Sequence, residues 1–167
     1  EADKKKDMAN AANKTTKEIE LKDTDEDDRV RVNMAIVQTG IDSPEESQKL
    51  PNDLENWVMD SGCTSHMTPY LSDFVPNSFK PVNKIIEVAD GSTVPCAQSG
   101  TVAIKTFNED FEELTILMEG VLYVPKLIPR LFSLMSVIEQ GHTVQLSDNG
   151  IKIFFNGQTV PVHMDLL

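Results

Sequence analysis

An apolar run, Trp57-Val58-Met59, delivers Asp60 into Ser61, Gly62 and Cys63. A carboxylate at a strand end, a hydroxyl beside it and a glycine that lets the backbone bend are the parts needed to activate water on a rigid support. The chemistry implied is peptide-bond hydrolysis by two carboxylates sharing one proton, because like charges about 3 Å apart cannot both ionise. The run occurs once. One chain therefore supplies half of such a site, and a twin must supply the rest. Asp-Ser-Gly is also common in ordinary turns, where each residue is favoured for local reasons. What surrounds it has to decide.

Two other chemistries are available to the same stretch. Cys63 and His66 have ligand-like spacing, and His142 and His163 are further nitrogen donors. A closed zinc site needs two more ligands, and no second Cys/His pair follows in sequence, so no metal and no other cofactor is expected. A Cys63/His66 thiol nucleophile would need an orienting third group, and none is evident. Cys63 is expected to pack as a small buried hydrophobe.

The whole chain bounds the answer further. It has 167 residues, 40% of them hydrophobic, which suffices for one domain and a tail. The formal net charge of -12 repels phosphate backbones, so no direct nucleic-acid binding is expected. There is no apolar stretch long enough for a membrane span and no signal-peptide pattern. Two cysteines do not make a disulfide framework, which fits a reducing, cytoplasmic setting. The chain opens on Glu1 rather than Met, as a piece of a longer polypeptide would.

The elements that must hold Asp60 are mostly strands. Residues 1–24 alternate lysines and acids, an acidic block covers residues 23–28 and residues 40–51 are turn-rich and polar; residues 1–50 read as a disordered charged tail and linker, with a possible short strand or docking arm at 30–37. Residues 51–167 read as the folded domain. Strands are expected at 56–60, 64–68, 84–89, 93–97, 101–107, 113–118 and 120–124, the last two parted at Gly120. A proline-bearing loop covers 69–81, and Asp90-Gly91 marks a hairpin turn. Leu131, Leu134, Met135 and Ile138 lie at helical spacing, which predicts one helix over 131–140 with Ser133 as N-cap and Gly141 as its stop. Three strands at 142–146, 151–155 and 160–163 close the chain. The fold class is all-β, a small and mainly antiparallel barrel with one short helix in its C-terminal half.

In this order the motifs resemble a known family. Trp57 to Thr68, Val88-Ala89-Asp90-Gly91-Ser92 with Gly100 to Ile104, and Gly120 to Leu134 running on to Val144 are similar to the retropepsin-type aspartic protease of copia-type LTR retrotransposon polyproteins. The resemblance implies the retropepsin-like acid protease fold, with Asp60 catalytic, Ser61 bracing the paired turns and Gly62 as motif glycine. It implies a flap at Ala89, Asp90, Gly91 and Ser92 that closes over bound peptide. It implies that residues 127–134 thread past the active-site turn. Cys63 stands where many retropepsins carry a small apolar residue. Pro129-Arg130-Leu131 stands where a glycine is usual, and copia relatives commonly have asparagine at the Arg130 position. His66 fits the copia pattern but has no evident chemical role.

The function so implied is aspartic endopeptidase activity of a homodimer, without cofactor, on the element's own Gag-Pol polyprotein and its own flanks, inside the cell and within virus-like particles. The alternative is a protease-fold module, inactive or host-adopted, that binds peptide or self-associates without cutting.

Overall fold

A computed structural model describes residues 17–21, 29–32 and 56–162. The strands are β1 Lys17–Leu21, β2 Arg29–Val32, β3 Trp57–Asp60, β4 Met67–Thr68, β5 Lys80–Val88, β6 Thr93–Phe107, β7 Glu113–Tyr123, β8 Arg130–Ser133, β9 Thr143–Ser147, β10 Gly150–Phe155 and β11 Gln158–Val162. The one α-helix among the described residues, α1, covers Leu134–Glu139. The chain is thus mostly β with a single short helix, as the strand-length alternations imply. Among the described residues, no helix is long and apolar enough to cross a membrane.

Eight strands form one sheet in the order β2-β5-β6-β7-β4-β8-β3, with β1 added to β7; β9 to β11 form a separate meander. The path runs open from β2 to β3, so the described sheets do not close into the barrel expected from sequence. Pairing is antiparallel along β5-β6-β7 and in the meander, and parallel for β1-β7, β2-β5, β4-β7 and β3-β8.

Residues 93–107 form one strand where two were expected, and 113–123 likewise. The interruption survives as a register shift between Gly100 and Val102, opposite the segment where Gly120 turns to φ +70. A bulge inserts a residue without ending the ladder, which is why the sequence reads as two strands and the backbone as one. The 69–81 loop contains a short 3-10 turn at Leu71–Asp73 and gives way to β5 at Lys80. The disordered tail expected at 1–50 lies largely outside the described residues. Its described parts, β1 and β2, are strands, and both alternate polar and apolar residues with period two inside a charge-rich composition.

The helix differs from expectation in a way that bears on the site. Residues 131–133 are strand, not helix, and α1 starts only at Leu134. β8 is buried along its whole length, Arg130 and Ser133 as well as Leu131 and Phe132, so both of its faces are covered and it shows no alternation to betray it. The spacing of Leu131, Leu134 and Ile138 imitates a helical stripe. In α1 the buried face is Leu134, Ser136 and Val137, while Met135 and Ile138 stand exposed. Ser133 is the N-cap, its hydroxyl accepting from the Ser136 amide at 2.9 Å, and Gly141 follows the helix at φ +85.

Two apolar clusters fill the interior. The larger gathers Val102, Ile104, Ile116, Phe132, Val137 and Ile153 with their neighbours. The smaller gathers Cys63, Met67, Ile86, Cys96, Leu122 and Leu131 and underlies the turn after Asp60. Burying a side chain of this size contributes about 1.5–3 kcal/mol.

Candidate functional site

Asp60 ends β3 directly opposite Ser133, the last residue of β8, in parallel register. β4 pairs with the other edge of β8, antiparallel, through Met67 and Leu131. The connection 61–66 must therefore arch over the C-terminal end of β8, and β8 threads between the two legs of the loop that carries Asp60. This is the threaded arrangement that the resemblance implied for residues 127–134, realised by Arg130–Ser133.

Within the arch the backbone amide of Gly62 donates to Asp60 Oδ1 at 2.6 Å. That bond closes a tight local turn in which the aspartate side chain is its own turn's acceptor. Oδ2 is buried and has no hydrogen-bond partner among the described residues. Asp60 keeps only 6% of its surface exposed, whereas Ser61 next to it is exposed and Gly62 half-buried. A buried acceptor without a partner costs about 1–3 kcal/mol, so Oδ2 is a position from which a donor is missing.

The Cys63 thiol is fully buried and lies 3.6 Å from the Asp60 carbonyl oxygen, to which it donates. Burial first, and the Asp60 charge second, push it up to about 12. Its side chain packs in the smaller apolar cluster, as the small buried hydrophobe read from sequence. His66 is also buried, its ring 4.7 Å from that of Phe132. Burial lowers it to about 3, so it is neutral. Its Nδ1 accepts from the Ser133 amide at 3.1 Å, and its Nε2 has no partner among the described residues. Ser133 Oγ donates to the Cys63 carbonyl at 2.6 Å.

A second polar group lies on the β4 side of β8. Arg130 Nε and Nη2 donate to the two oxygens of Asp73 at 2.8 and 3.0 Å, and both side chains are buried. Thr68 Oγ1 donates to Asp73 Oδ2 at 2.6 Å, and the guanidinium lies 4.5 Å from the centre of the Tyr70 ring. Sequence reasoning singled out Arg130 as a departure and missed Asp73, which lay inside an expected loop.

The residues expected to form a flap lie at a hairpin turn. Ala89, Asp90, Gly91 and Ser92 form the exposed tip of the β5–β6 hairpin. Gly91 at φ +81 makes the turn, with its amide donating to the Val88 carbonyl at 2.8 Å. The Ser92 amide donates to Asp90 Oδ1 at 2.8 Å; the Ser92 side chain, then this bond, hold the Asp90 carboxyl below its usual range. Among the described residues no hydrogen bond or ion pair joins this tip to Asp60. A hollow of about 520 Å³ lies beyond the other end of the hairpin, lined by Phe79, Pro81, Pro95, Tyr123 and Pro125, and it does not include Asp60.

A protein-family model described as "Pol polyprotein, beta-barrel domain" matches residues 57–142, from the first residue of β3 to just beyond α1. The chain belongs to that family. The match takes in the Asp60 arch, the β5–β6 hairpin, β8 and the helix, and leaves out β1, β2 and the C-terminal meander. Curated relatives include the retrovirus-related Pol polyprotein from transposon RE2 of Arabidopsis thaliana, 35% identical over 86 residues. Another is the corresponding polyprotein from transposon RE1, 29% identical over 83 residues. Each alignment covers 50% of this chain and 5% of the relative. No solved structure matches the chain. The resemblance read from the motifs is thus met at the level of the retrotransposon Pol polyprotein. The domain named is its beta-barrel domain and not specifically a retropepsin.

Proposed function

We propose that this Pol polyprotein domain is an aspartic endopeptidase that works as a homodimer. The observation that carries the proposal is the state of Asp60. One carboxylate oxygen is held by the Gly62 amide at the end of β3, and the other is buried with no partner among the described residues. In a two-fold dimer the second copy of Asp60 brings the missing donor, a proton shared between Oδ2 atoms, through an isologous contact. The ionised carboxylate then acts as general base on a water, and the protonated one hydrogen-bonds the scissile carbonyl. Ser61, exposed beside the pair, is placed to brace one turn against its twin. The β5–β6 tip at residues 89–92 serves as the flap and closes over an extended peptide bound through main-chain bonds. The substrate is the polyprotein in which the domain is embedded, processed in the cytoplasm within assembling particles.

The test is a precursor carrying the chain with native flanks, beside its Asp60→Asn form. Asn keeps an oxygen for the Gly62 amide, so the fold is retained while the shared proton is lost. Pepstatin-sensitive self-cleavage by the parent alone supports the proposal; equal processing by both forms removes Asp60 from the mechanism.

One observation favours a second reading, a fold that self-associates or binds peptide without cutting. Asp60 retains only 6% exposure, and neither the apolar hollow nor a smaller polar one around Gly100 includes it. A protein that binds a peptide from its flanks or self-associates, yet cleaves nothing, would establish that reading.

A further inference from the structure

The arch that carries Asp60 is fastened from beneath by two residues to which hydrolysis assigns no task. Asp60 has one polar side-chain anchor among the described residues, the Gly62 amide, and Gly62 moves with the same turn. Where the carboxylate sits relative to the sheet is therefore decided by whatever holds residues 61–66. β3 fixes the arch at Asp60 and β4 fixes it at Met67. Between these feet, Ser133 makes two buried contacts: Oγ donates to the Cys63 carbonyl at 2.6 Å, and its amide donates to His66 Nδ1 at 3.1 Å.

We infer that Ser133 and His66 are a positioning pair for Asp60, fastening the middle and the far end of its arch to the C-terminal end of β8. The inference rests on the half-site reading of Asp60 and deepens it. Ser133 suits the task because it is also the cap of α1. Its hydroxyl accepts from the Ser136 amide at 2.9 Å, which leaves the single hydroxyl proton for Cys63. Strand, arch and helix start are thus joined through one side chain. His66 suits it because Nδ1 accepts, which requires the tautomer with the proton on Nε2. That Nε2–H is buried without a partner among the described residues. A leucine or phenylalanine would fill the space beside Phe132 without this cost, so the acceptor at Nδ1 is what a histidine adds.

The test uses the whole chain, isotope-labelled, with Ser133→Ala, His66→Leu and His66→Asn. The parent should show His66 unprotonated at Nδ1 and protonated at Nε2 by nitrogen chemical shift. Exchange of the Gly62 amide should accelerate at least roughly ten-fold in Ser133→Ala and His66→Leu, with the amides of β10 changed less than about two-fold. His66→Asn, which keeps a side-chain acceptor, should restore most of the protection. Peptide cleavage in the first two variants should lose on the order of 100-fold in kcat with KM little changed. A proton on Nδ1 in the parent, unchanged Gly62 exchange, or equal acceleration of Gly62 and β10 would each overturn the assignment. If the exchange and tautomer results hold but no version cleaves peptide, the hydrolytic reading fails and the positioning of the arch stands.

Discussion

Arg130 and Asp73 lie 57 residues apart in sequence and meet in a buried two-bond ion pair, Nε to Oδ2 at 2.8 Å and Nη2 to Oδ1 at 3.0 Å. Arg130 starts β8 and Asp73 ends the short 3-10 turn, so the pair closes the lower end of the threaded strand while Ser133 closes the upper. Removing one partner strands the other charge in the interior. Arg130→Met should therefore cost about 3–5 kcal/mol, and a double variant with Asp73→Leu should recover much of it. Urea unfolding of the two variants against the parent measures both numbers. Equal stability of parent and Arg130→Met would show that the pair is not buried.

His66 should make stability depend on pH. Burial lowers it to about 3 from 6.5. As pH falls below 6.5 the unfolded chain takes up a proton on this residue, and the native protein does not until near 3. The contribution is complete above 6.5 and is lost toward 3, at up to about 1.4 kcal/mol per pH unit. Unfolding free energy measured from pH 7 to 4 should fall with that slope from this group, and His66→Asn should flatten the fall.

Cys63 should be chemically silent. Burial and the neighbouring Asp60 charge push its thiol up to about 12, and burial also raises Cys96. Iodoacetamide at pH 8 should leave both unmodified in the native protein and alkylate both in urea. Fast native labelling of Cys63 would reopen the thiol chemistry set aside above.

Leu131 lies fully buried in the smaller cluster beneath the arch. Leu131→Ala should cost about 2–5 kcal/mol, whereas Ile138→Ala, on the exposed face of α1, should cost under about 1 kcal/mol. Thermal unfolding distinguishes this from the helical stripe read in the sequence, in which both residues face the core.

The contrast shows what the sequence could and could not disclose. The strand into Asp60, the Asp90-Gly91 turn and the Ser133 cap were legible because each depends on neighbours in the chain. β8 was not, because its four residues, Arg130-Leu131-Phe132-Ser133, are all buried and show no two-residue alternation. β1 was hidden by averaging over a charged composition, while β2 overlaps the start of the possible strand read at 30–37. The contacts that hold the arch join Ser133 to Cys63 and His66 across 70 and 67 residues, and Arg130 to Asp73 across 57. Local pattern reports nothing about partners that far away.

The most direct measurement mixes unmodified chain with the Asp60→Asn chain at constant total concentration and follows cleavage of a peptide from the flanking junction. Two chains that each contribute one Asp60 predict a rate falling as the square of the unmodified fraction, to none in Asp60→Asn alone. A linear decline, or a rate that Asp60→Asn sustains by itself, contradicts the shared site.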